Sequence, residues 1–131
     1  AGHRRPVTTL QHLVEDFERE MGEDDLTHLE EILDLHDVSR DPGVSDVGAF
    51  RELASHNAEI RSMHHHVFDT RLAVAAVCQG GFETAVEPVA PYHIVVLARK
   101  PLAGAAAGSF AEDGLRAALR NSPFRTDRQG S

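Results

Sequence analysis

Residues 92–98, Tyr-His-Ile-Val-Val-Leu-Ala, form a nearly continuous apolar run rich in β-branched side chains. Such side chains are stiff at χ1 and pack well on a pleated surface, and a run without polar alternation marks a strand covered on both faces. This segment predicts a central strand and requires other elements to cover it. The preceding stretch, Phe82 to Val89, alternates instead. Phe82, Thr84 and Val86 fall on one face and Glu83, Ala85 and Glu87 on the other, which predicts a half-exposed strand broken by Pro88-Val89-Ala90-Pro91. The short connection makes an antiparallel hairpin the simplest pairing.

Helix signals occupy most of the remainder. Asp69 is a plausible cap for the Ala-rich stretch Thr70 to Gln79, and Gly80-Gly81 supplies a left-handed stop. Nearer the start, Thr8 and Gln11 have capping-box spacing, with Leu10, Leu13, Val14 and Phe17 on one face of a helix ending near Gly22. Thr27 and Glu30 repeat the box, and Leu26, Leu29, Leu33 and His36, broadened by Ile32 and Leu35, predict a second helix. After a Pro42-Gly43 turn, Val47, Phe50, Leu53 and Asn57 suggest a third, capped by Ser45. Leu102 to Ser109 reads as flexible, Glu112 to Arg120 as a short helix, and Asn121 to Ser131 as a frayed tail.

At 131 residues the chain suits one domain, and a second independent one is not expected. Its 13 Lys+Arg against 21 Asp+Glu give a formal charge of -8, the wrong sign for a nucleic-acid or anionic-membrane surface. Much of the acid lies between Glu15 and Asp41 and reads as solvated helix faces; no calcium-loop spacing is present. The apolar run Leu72 to Cys78 is far short of the about 20 residues that span a bilayer. A lone cysteine, Cys78, excludes an internal disulfide and places the chain in a reducing cytoplasm, where a buried, inert thiol is expected. The basic start Ala1 to Arg5 leads into Pro6-Val7-Thr8-Thr9 rather than the apolar stretch of an export signal.

The conspicuous chemical cluster is His64-His65-His66, with His93 a possible neighbour. If residues 64–67 are extended, His64 and His66 project to one face, which suits two imidazoles on one metal. Spacing fixes no third ligand, so no metal is assigned; the alternatives are a polar loop bonded to backbone or one wall of a pocket. Gly80-Gly81 runs from helix to strand, the reverse of a phosphate-binding turn, and Gly104 to Gly108 lacks a following Lys-Ser or Lys-Thr. No G-x-S-x-G elbow occurs.

The run His64 to Lys100, HHHVFDTRLAVAAVCQGGFETAVEPVAPYHIVVLARK, resembles the closing segment of class I S-adenosylmethionine-dependent methyltransferases. In that family a His-rich or aromatic stretch leads into a late helix, a Gly-Phe turn and an antiparallel strand pair that finishes a Rossmann-like sheet. Gly81-Phe82 matches the turn, and Phe82 to Val89 and Tyr92 to Arg99 match the strands. Arg4 to Leu13, RRPVTTLQHL, is similar to the opening of a helical insertion over the acceptor site in one bacterial branch. The likeness spans Arg4 to Lys100, the later part of the family's domain. The acidic, glycine-rich cofactor loop and the ribose-holding acid have no counterpart.

The resemblance implies an α/β chain, the late part of a Rossmann-like fold, or α+β if standing alone. Residues 1–63 would be a helical insertion, 64–100 the closing helix and β-hairpin, and 101–131 a linker, short helix and tail. It implies the acceptor-side portion of a bacterial, cytoplasmic methyltransferase. His64, His65 and His66 are then candidate catalytic residues, and Tyr92 and His93 candidate substrate contacts. The cofactor of the intact enzyme would be S-adenosylmethionine, with none expected on this chain alone, and the partner a small-molecule methyl acceptor. The alternative is a non-enzymatic acidic α+β module that recognises a partner through its helical half or an exposed hairpin edge, the edge favouring a homodimer.

Overall fold

The computed structural model describes residues 5–89, 93–101 and 112–128. Among these residues the protein is mostly helical, with six α-helices and one antiparallel strand pair. The chain divides into two compact units, Ala1–Val67 and Phe68–Ser131. No helix among the described residues is long and apolar enough to cross a membrane.

The first unit holds α1 (Leu10–Glu18), α2 (Leu29–Leu35), α3 (Val47–Ser55) and the single turn α4 (Asn57–Ile60). Its core is Leu29, Ile32, Leu33, Phe50, Ala54 and Met63, where α2 packs on α3 and the chain after α4 closes the layer. The His36 ring stacks on Phe50 with centroids 4.9 Å apart. The apolar period of α2 and α3 therefore finds its expected use.

The caps differ from the sequence reading by one residue each. Thr9, not Thr8, caps α1, accepting from the His12 N–H at 3.2 Å. Thr8 is engaged elsewhere: its N–H donates to the Val67 carbonyl at 2.9 Å and its hydroxyl accepts from the Val67 N–H at 3.0 Å. Thr27 does not cap α2; its N–H and hydroxyl both donate to Asp25, and His28 stands at the cap position with its ring turned away to Asp16. Asp46 replaces Ser45 as the cap of α3. Helix α1 stops at Glu18 with Glu20 left-handed at φ 55°, short of Gly22.

The second unit opens with α5 (Thr70–Gln79), capped by Asp69 as expected through the Leu72 N–H at 2.8 Å. Gly81 at φ 80° turns the chain out of α5, a conformation that favours glycine. Strands β1 (Glu83–Val89) and β2 (His93–Arg99) pair antiparallel, from Glu83 opposite Arg99 to Val89 opposite His93. Pro88 does not end β1 but sits within it opposite Ile94, as an edge strand permits. Helix α5 packs on both strands and α6 (Glu112–Asn121) on β1.

Three expectations are corrected here. Strand β2 is not covered on both faces: Val95 is 53% and Leu97 74% exposed, with Ile94 and Val96 half-buried. Cys78 is half-buried rather than buried. The chain after α6 is not frayed up to Arg128, because Asp127 is fully buried and accepts from the Thr70 N–H at 3.0 Å, the Thr70 hydroxyl at 2.6 Å and the Ser122 hydroxyl. The Ala/Gly-rich stretch 102–109 lies outside the described residues.

Candidate functional site

Residues His12 and Asp16 lie four apart on α1 and so share a face of the helix. Asp16 is only 6% exposed while the adjacent Phe17 is 84% exposed, so the buried face of α1 is not the simple apolar stripe the sequence suggests. What surrounds the Asp16 carboxylate is imidazole. Its Oδ2 lies 3.3 Å from His28 Nε2, 3.4 Å from His12 Nε2 and 3.6 Å from His66 Nε2. One ligand atom from each of the four residues lies within 4.8 Å of every other.

Separate parts of the unit deliver these groups. Thr9 starts α1 at the turn that presents His12 and Asp16. His28 leads into α2, whose buried residues Leu29, Ile32 and Leu33 anchor it in the core. His66 lies in the irregular segment after α4, which is fastened at Val67 by Thr8 and at His64 and His65 by Arg5. The Arg5 guanidinium donates to the His64 carbonyl at 2.7 Å and the His65 carbonyl at 2.8 Å, while its Nε reaches Glu31 at 3.2 Å. Asn57 provides a second brace, donating to the Glu23 carbonyl at 2.9 Å and accepting from the Met63 N–H at 2.7 Å.

The rings of His12, His28 and His66 meet edge to face, with centroids 5.0 to 5.8 Å apart. Burial holds the His66 imidazole below its ordinary pKa; the Asp16 carboxylate opposes this, and His28, His12 and His65 reinforce it. A neutral imidazole keeps a nitrogen lone pair for a proton or a metal. Beside the cluster opens a pocket of about 360 Å³, lined by the apolar Leu13, Phe17 and Met21 and by the polar Asp16, His28, His65 and His66.

The histidine triplet is thus split in its roles. His66 joins the cluster, His65 lines the pocket with its Nε2 3.3 Å from Asn57 Nδ2, and His64 is exposed and contributes its carbonyl to Arg5. The expected pairing of His64 with His66 is not the one present. His93 stands exposed on β2, and Tyr92 lies outside the described residues. His12, Asp16 and His28 were missed from sequence. The available signal was an i,i+4 His/Asp pair on the inward side of a capped helix, masked by the many solvated acids around it. No family model matches the chain, and neither the curated proteins nor the solved structures yield a match.

Proposed function

We propose that this chain is the acceptor-side, C-terminal portion of a bacterial class I S-adenosylmethionine-dependent methyltransferase. The single observation that carries the reading is β2: its side chains have the composition of a sheet interior, yet Val95 and Leu97 stand open to solvent on a two-stranded sheet. A strand of this kind is suited to the inside of a larger Rossmann-like sheet, whose earlier strands and covering helices would come from elsewhere. The order α5, Gly81 turn, β1, β2 follows the family's closing segment.

The cofactor itself does not fit the residues described. Gly80 and Gly81 join a helix to a strand, whereas a phosphate- or nucleoside-binding turn runs from strand to helix and points its N–H groups at the ligand. This chain's contribution is to the acceptor. The pocket on the helical unit is lined by apolar side chains suited to the body of a small molecule and by the imidazoles of His65 and His66.

Calorimetric titration of S-adenosylmethionine into the 131-residue chain and into the product of the intact reading frame tests this reading. Micromolar binding by the intact product and none by the chain supports it. Micromolar binding by the chain, or an intact product lacking a glycine-rich strand-to-helix turn, overturns it. The same open strand favours a second reading, a non-enzymatic module that dimerises through β2. Sedimentation would recognise it as a monomer–dimer equilibrium abolished by Leu97→Lys.

A further inference from the structure

We infer that His12, Asp16, His28 and His66 form a binding site for one divalent transition-metal ion, best matched by zinc. The inference does not rest on the methyltransferase reading. Hydrogen bonding alone leaves the cluster unexplained. A carboxylate oxygen offers about two lone pairs, yet three Nε2 atoms converge on Asp16 Oδ2, and at 3.4 and 3.6 Å two of them lie beyond a good hydrogen bond.

Coordination accounts for the spacing. A tetrahedral zinc ion with arms of about 2.0–2.1 Å to imidazole nitrogen and carboxylate oxygen holds its ligand atoms about 3.3–3.4 Å apart. The three Asp16-to-imidazole separations are 3.3, 3.4 and 3.6 Å. The imidazole nitrogens, which lie within 4.8 Å of one another, would have to draw together by up to about 1.4 Å on binding the ion. Three nitrogens and one carboxylate exclude calcium and magnesium, which take oxygen ligands, and suit zinc. Four protein ligands with no open position describe a structural rather than a catalytic ion. Such an ion would tie α1, whose only buried residue is Asp16, to the start of α2 and to the segment through His66.

Zinc chloride titrated into the chelator-stripped full chain tests the inference. One equivalent bound with submicromolar affinity is expected, together with a rise in Tm of about 5 °C or more at saturating zinc. Cobalt(II) in its place should give the intense visible absorption of a four-coordinate N/O site. Asp16→Asn, His28→Gln and His66→Gln should each weaken zinc binding tenfold or more, and His64→Gln and His93→Gln should leave it unchanged. The Tm and cobalt measurements use the native chain, so they decide the matter even if a ligand variant fails to fold. Absence of heat and of any Tm shift overturns the inference. So does zinc binding that survives replacement of both Asp16 and His66 or that depends on His64 or His93.

Discussion

Arg5 Nη2 donates to the carbonyl of His65 at 2.8 Å across sixty residues of sequence, and the other arm of the same guanidinium takes the His64 carbonyl. With its side chain only 6% exposed, this fork fixes the backbone that carries His66. Arg5→Ala should lower stability by about 1.5–3 kcal/mol, the range for hydrogen bonds to a charged group, as read from urea melts. Arg5→Lys keeps the charge but not the planar fork, and should recover less than half of the loss. A wild-type midpoint in Arg5→Ala would show the contact to be idle.

Asp127 gathers three donors in a buried place, from Thr70 and Ser122. Removing the carboxylate strands all three, so Asp127→Ala should cost about 3 kcal/mol or more. A thermal melt and the amide shift of Thr70 would report the change. Unchanged values would mean that the segment after α6 is not docked on α5.

The cap of α3 makes acid sensitivity local. Asp46 accepts from the Ala49 N–H and the Ser45 hydroxyl, each at 2.9 Å, and these bonds hold its carboxyl below the ordinary aspartate value. The folded state therefore binds this proton less tightly than the unfolded chain does. Its stabilisation is fully present above the unfolded pKa of about 4 and is lost as pH falls through the lower folded value. Asp46→Ala should be less stable than wild type by a constant amount at neutral pH, and the gap should close in acid. Urea melts at neutral and strongly acidic pH measure it; a gap that widens in acid has the wrong sign.

Leu97 is an apolar side chain that the chain leaves largely in water. Leu97→Lys should change the stability of the isolated chain by no more than about 0.5 kcal/mol, as surface substitutions do. In the intact product, where the proposed sheet would cover the strand, the same change should cost several times more. Equal effects in the two proteins would count against a larger sheet.

Local signals in the sequence were read well around α5. Asp69 and Gly81 bracket α5 as expected, because a cap and a left-handed stop each act on the nearest turn. The misassignments have several causes, some long-range and some local. Thr8 and Thr9 are equally good caps, and only the long-range pairing of Thr8 with Val67 leaves the task to Thr9. Thr27 and Asp25 close a local turn that competes with the capping box. Asp16 resembles its acidic neighbours in sequence, yet it alone among the described acids of α1 is buried. Pro88 reads as a break only if β1 is flanked on both sides, and an edge strand spares its missing N–H.

Periodicity, caps and turns act over a few residues, and through them five of the six α-helices and the two strands were legible, while the single turn α4 was not. Tertiary structure decided which histidines meet. Residues 12 and 16 share a helix face by spacing alone, but bringing residues 28 and 66 to the same carboxylate requires α2 to pack through Leu29 and Ile32. It also requires Arg5 and Thr8 to draw the segment of His64 to Val67 back across the chain. Those contacts depend on chain reversal and burial, which no local pattern encodes, and they turn scattered imidazoles into one site.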